Sequence, residues 1–164
     1  MEKLNYEGLF LIRHGEAKDR RLSERGKTQV KELIGLVNPN IVAKITPFSS
    51  TERRAIETAL VLMDGLKYLR DGREWPACLE SLWTHSSLYG EGITALENFI
   101  NFANKNKSTK NCLAVTHLEF MHYFPKWFLR EFFQKDFSGK FDYTEGIYID
   151  LKTGEYKNFN LGDK

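Results

Sequence analysis

Three times along the chain an apolar run stops at a polar residue, and a stretch with helical spacing follows. Phe10-Leu11-Ile12 gives way to Arg13-His14-Gly15-Glu16, the segment from Ile41 to Phe48 to Ser49-Ser50, and Cys112-Leu113-Ala114-Val115 to Thr116-His117. Short continuous apolar runs rich in β-branched residues predict buried strands. Between them, Val30, Leu33, Ile34 and Val37 predict a helix from about Glu24 to Val37, with Ser23 as N-cap and Asn38-Pro39 as stop. Further helices are expected from Thr51 to Met63, from Gly90 to Asn104 on the stripe Ile93, Leu96, Phe99, Ile100 and Ala103, and from Glu119 to Phe133, with Pro125 a point of kinking.

The remaining segments complete the pattern. Cys78 to Leu82 reads as a short strand or extended loop, and Trp75-Pro76 argues against a continuous helix there. Ile147 to Leu151 and Glu155 to Phe159 flank Lys152-Thr153-Gly154 and predict a hairpin on the sheet edge. The order of elements predicts an α/β fold, a three-layer α/β/α sandwich with a mostly parallel central sheet. At 164 residues, without repeat, low-complexity tract or linker, residues 1–164 are expected to form one domain.

Composition narrows the classes of function. With 24 basic and 22 acidic residues the net charge is +2, which provides no general field for nucleic acid. Cys78 and Cys112 have neither the number nor the spacing of a disulfide framework or a zinc site. The first residues lack the apolar core of a secretory signal, and no run is long enough to span a bilayer, so a soluble cytoplasmic protein with no membrane partner is expected.

Candidate chemistry lies where the apolar runs end. Ligands of open α/β sheets bind at the carboxyl edge of the strands. A guanidinium beside an imidazole there suits a phosphoryl group, the arginine clamping its oxygens while a neutral ring nitrogen attacks phosphorus. Gly15 is expected to let the chain turn sharply beneath the ligand. Arg53 and Arg54 fall in the first turn of the second helix, where free N–H groups favour an anion, although adjacent arginines are more often solvated surface charges. Convergence of three strand ends would bring together His14, Ser50 with nearby Arg54, and His117.

The stretches Leu11-Ile12-Arg13-His14-Gly15-Glu16, Leu22-Ser23-Glu24-Arg25-Gly26, Ser49-Ser50-Thr51-Glu52-Arg53-Arg54-Ala55-Ile56-Glu57-Thr58-Ala59 and Val115-Thr116-His117 occur in an order that resembles the histidine phosphatase superfamily, the phosphoglycerate-mutase-like fold. The resemblance implies that His14 is the nucleophile that becomes phosphorylated and Arg13 its adjoining phosphate ligand. It implies further that Arg54, rather than Arg53, is the second arginine, and that His117 is the histidine that holds and neutralises the transferring group. Glu80 is the best match to the acid that protonates the leaving oxygen, with Glu74 and Glu91 as competitors, and Glu16 is expected to brace the loop. Arg20 is a candidate extra phosphate ligand, set against a solvated loop charge. No metal or other cofactor is implied.

Two departures from the family pattern bear on substrate. Leu118-Glu119 follows the second histidine where many relatives carry glycine, and the loop from Glu16 to Leu22 is shorter than in the mutase branch. The small size resembles the compact branch that includes phosphohistidine phosphatases. The expected activity is therefore a metal-independent phosphatase acting on a small phosphomonoester or a phosphohistidine protein, with mutase activity ranked low. The alternative is a catalytically silent phosphate-binding module, motivated by Glu119. A weaker alternative makes His14, Glu16, His117 and His122 a metal site; His122 and His85 read more simply as ordinary surface or packing histidines.

Overall fold

The computed structural model describes residues 2–36, 45–65, 76–78 and 92–159, the side chains of 92, 93 and 95 aside. Its strands and helices follow in the order β1 (Gly8–Arg13), β2 (Ala17–Lys18), β3 (Arg21–Leu22), α1 (Glu24–Leu36), β4 (Ile45–Ser49), α2 (Arg53–Gly65), β5 (Ala77–Cys78), α3 (Gly92–Lys105), β6 (Asn111–Thr116), α4 (Leu118–Phe133), β7 (Gly146–Asp150) and β8 (Tyr156–Phe159). The expected strand from Ile41 is described only from Ile45. The expected stop at Asn38-Pro39 and the segment from Leu79 to Leu82 lie outside the described residues.

Among the described residues, six strands form the central sheet in the order β5-β4-β6-β1-β7-β8. The first four run parallel, and β7 and β8 pair antiparallel as the hairpin at one edge. Because side chains alternate along a strand, β1 feeds both faces. Leu9 and Leu11 join the core beneath α3 and α4 with Phe99, Ile100, Phe120, Phe124 and Phe128, whereas Phe10 and Ile12 join the core beneath α1 and α2 with Val30, Leu33, Ala59 and Leu62. This is the three-layer α/β/α sandwich that the apolar pattern predicts. Helix α4 runs through Pro125, which is itself buried.

Register sets the position of the site. β6 lies between β1 and β4, with Arg13 opposite Thr116 and Ser49 opposite Val115. The next residue of each strand, His14, His117 and Ser50, therefore emerges at the same carboxyl edge. Backbone bonds extend the ladder there, from the His14 N–H to the Thr116 carbonyl at 3.0 Å and from the Ser50 N–H to the Val115 carbonyl at 3.1 Å. Antiparallel β7 starts at this edge, with Gly146 opposite Ile12, and so delivers the preceding residues to it as well.

Gly15 has a different use from the one expected. Its φ is not in the left-handed region, and a Cβ placed on it would lie 2.6 Å from the Leu22 side chain and 3.0 Å from the Gly26 carbonyl oxygen. A Cβ on Gly26 would in turn lie 2.2 Å from the Glu16 carbonyl oxygen. The two glycines let the loop after β1 rest directly on α1, which close packing rather than a sharp turn requires.

Candidate active site

The rings of His14 and His117 meet at this edge, their centroids 4.9 Å apart and their planes at 62°. Both are buried, at 5% and 2% exposure. His14 Nδ1 lies 2.7 Å from the Gly15 carbonyl oxygen. A carbonyl can only accept, so Nδ1 carries the proton and the Nε2 lone pair is left available. Burial lowers the His14 pKa to about 4; the charges of Arg54 and Arg13 lower it too, against the Gly15 bond and the Glu119 charge, which raise it. The ring is thus a neutral base at neutral pH.

His117 is the N-cap residue of α4 and has extended backbone. Its Nε2 lies 2.7 Å from Ser50 Oγ, which also accepts the Glu52 N–H at 3.3 Å. Ser50 thereby ties the β4 edge to the β6 edge through a side chain.

Both arginines lie near enough for their charges to act on His14. The Arg13 Nη1 donates to the Phe141 carbonyl at 3.0 Å and lies 3.7 Å from Asp142 Oδ1, and its guanidinium sits 4.1 Å from the centre of the Tyr143 ring. Arg54 stands in the first turn of α2, partly buried, and its carbonyl accepts the Thr58 hydroxyl at 2.7 Å. That same hydroxyl oxygen accepts the Gly15 N–H at 3.1 Å, which fastens the α2 turn to the loop after His14. The Nε atoms of Arg13 and Arg54 are buried without a hydrogen-bond partner among the described residues. Arg53 instead points outward and pairs with Glu57 at 2.9 Å, while the other Glu57 oxygen accepts the Leu22 N–H at 2.7 Å. The two adjacent arginines thus differ in surroundings, Arg53 in an exposed ion pair and Arg54 with a buried Nε.

The other expected site residues fall elsewhere. Glu16 accepts the Ser23 hydroxyl and pairs with Arg25 at 3.5 Å, the bracing part expected of it. Arg20 is exposed on the β2–β3 turn, where Asp19 and Arg20 have φ values of 51° and 65° in the mirror-image turn that suits tight hairpins. It has no hydrogen bond or ion pair among the described residues. Glu80, Glu74, Glu91 and His85 lie outside the described residues. Of the metal-site alternative, His14 and His117 meet, but Glu16 is engaged with Ser23 and Arg25 and His122 lines a groove; among the described residues no cluster of three or more His, Cys, Asp or Glu is placed to hold a metal ion. Among the described residues no helix is long and apolar enough to cross a membrane.

Sequence reading missed Asp142, Tyr143 and Thr144. The Tyr143 ring lies 5.6 Å from that of His14, and Thr144, buried at φ 60°, donates its N–H to the carbonyls of Arg13 and His14 at 3.1 and 3.3 Å. Left-handed backbone at a β-branched residue is strained by about 1–3 kcal/mol, and here it sets Tyr143 against Arg13. These residues precede a strand instead of ending one, so the search for polar residues after apolar runs passes over them.

Residues 9–77 match the sequence profile of the histidine phosphatase superfamily (branch 1). No curated protein matches the sequence significantly. Among solved structures, the chain is similar to the protein histidine phosphatase SixA complexed with tungstate, at 16% identity over 93% of this chain and 94% of that one, with a TM-score of 0.63. It is also similar to phosphoserine phosphatase from Entamoeba histolytica in complex with phosphoserine, at 14% identity over 93% and 95% of the two chains, with a TM-score of 0.56. A mycobacterial glucosyl-3-phosphoglycerate phosphatase is similar at 12% identity over 93% and 97%, with a TM-score of 0.59. The chain is thus similar to the histidine phosphatase superfamily in sequence over residues 9–77, and it shares the fold of these phosphatases over nearly its whole length.

Proposed function

We propose that this protein is a metal-independent phosphatase that hydrolyses a phosphomonoester or a phosphohistidine through a phosphohistidine intermediate on His14. The observation that carries the reading is the pair of buried guanidinium Nε groups, on Arg13 and Arg54, without acceptors among the described residues around a neutral imidazole. A buried donor left unpaired costs about 1–3 kcal/mol, more when charged, and a tetrahedral oxyanion between the arginines would relieve it. The superfamily match and the similar phosphatases support the same chemistry.

In this reading the His14 Nε2 lone pair attacks phosphorus while the bond to the leaving group breaks. Negative charge spreads over the equatorial oxygens, where Arg13, Arg54 and His117 stabilise it. The Gly15 carbonyl holds Nδ1–H as the ring becomes cationic. Glu80 gives its proton to the leaving oxygen or nitrogen, then takes one from the water that attacks the phosphohistidine, and the P–N electron pair returns to Nε2.

A second reading, a silent phosphate-binding module, draws on Glu119, whose charge reaches His14. Hydrolysis of p-nitrophenyl phosphate and of a phosphohistidine peptide by wild type and His14→Ala separates the two. Turnover that vanishes in the variant is expected; turnover equal in both removes the mechanism, and none in either favours the silent module.

A further inference from the structure

Beyond the two histidines, a groove of about 600 Å³ opens between α4 and the segment ahead of β7. His122 and Lys126, one turn apart on α4, form one wall, and Phe137, Ser138 and Lys140 form the other. No carboxylate lines it among the described residues, and none of its three basic side chains has an ion-pair partner among them. The two lysine ammonium groups, unneutralised and facing one groove, present a positive field to whatever enters it.

Both walls lead out of the active site. Helix α4 starts at its N-cap His117, and the opposite wall runs on from Lys140 into Phe141, whose carbonyl holds Arg13, and Tyr143, which lies against His14. At the α-helical rise, His122 and Lys126 stand roughly 8 and 14 Å along the axis from His117. A compact metabolite phosphate ends well short of that distance, whereas an extended polypeptide covers it in roughly two to four residues. The near balance of 24 basic against 22 acidic residues disfavours a long polyanion as the occupant.

We propose that this groove seats the acidic flank of a phosphorylated polypeptide, with a carboxylate two to four residues from the phosphorylated side chain held by His122, Lys126 and Lys140. The proposal rests on the phosphatase reading for its orientation and narrows the substrate to a phosphoprotein.

The test is binding, read by fluorescence anisotropy with a labelled peptide carrying a non-hydrolysable phosphohistidine mimic. One peptide has Asp and Glu at the second to fourth positions on either side; the other has Asn and Gln. Wild type should bind the acidic peptide about tenfold more tightly, and Lys126→Gln/Lys140→Gln should bind the two alike. Both lysines are exposed, so the double variant leaves the core intact, which a matching thermal melt checks. Equal affinity of wild type for the two peptides, or a preference that survives in the double variant, overturns the proposal. Preference for the acidic peptide without any hydrolysis of p-nitrophenyl phosphate defeats the phosphatase reading and upholds the groove; hydrolysis without preference defeats the groove alone.

Discussion

The imidazoles of His14 and His117, 103 positions apart in the chain, meet edge to face with centroids 4.9 Å apart because the strands that carry them are parallel neighbours in register. Each ring has its own anchor, the Gly15 carbonyl for His14 and the Ser50 hydroxyl for His117.

The low His14 pKa makes stability depend on pH. Between about 4 and the ordinary 6.5 the unfolded chain binds a proton that the folded chain does not. This contribution is therefore complete above the unfolded value and is lost as pH falls towards 4, by about 3 kcal/mol in total. Urea unfolding of wild type and His14→Gln at pH 7 and pH 4.5 should show the wild type losing more stability; parallel losses would mean that the ring is not held neutral.

Arg54 and Arg53 adjoin in sequence but differ in surroundings. Replacing Arg54 by Ala should lower kcat/KM by about 10² to 10³, the typical cost of one donor to transition-state charge. Replacing Arg53 breaks only its exposed pair with Glu57, a contact worth up to about 1 kcal/mol, and should leave turnover near that of wild type. Steady-state kinetics on both variants tests the distinction.

Ser50→Ala removes the bond to His117 Nε2 and leaves that buried nitrogen without this partner. A stability loss of about 1–3 kcal/mol is expected, with kcat falling more than KM rises, because the ring loses its fixed orientation. Unchanged kcat would show that His117 is held without the serine.

Tyr143 positions Arg13 through its ring face rather than its hydroxyl. Tyr143→Phe should therefore retain most activity, whereas Tyr143→Ala should weaken phosphate or vanadate binding by an amount comparable to a cation–π contact, about 1 kcal/mol. Equal loss in both variants would assign the effect to the hydroxyl.

The two carboxylates should behave differently. Glu80→Gln removes the proposed proton donor and should slow turnover most for substrates with poor leaving groups, by about 10² or more. Glu119→Gln removes a charge that raises the His14 pKa, so the acid limb of kcat/KM should move to lower pH with the leaving-group dependence unchanged. An unaltered leaving-group dependence in Glu80→Gln would transfer the proton-donor role elsewhere.

Much of this architecture is legible from local pattern. The apolar runs before His14, Ser50 and His117 mark strands, and their polar ends mark the shared carboxyl edge, because strand burial and strand exit are written in consecutive residues. The hairpin from Ile147 to Phe159 is equally local. What depends on distant partners is not legible in this way. Gly15 is required by Gly26, Ser50 is bonded to a histidine 67 positions away, and Tyr143 reaches the site only because β7 runs antiparallel and begins where β1 ends. The family motif singles out Arg54, and the ion pair that occupies Arg53 with Glu57 is a contact the motif does not disclose.

Rapid quench of the protein with phosphorus-labelled substrate, followed by alkaline digestion and mass spectrometry, tests the proposed nucleophile most directly. Label recovered on the His14 peptide as phosphohistidine, and absent from His14→Ala, is the expected result. Turnover with label on another residue, or with none on the protein while the wild type is hydrolysing substrate, would contradict it.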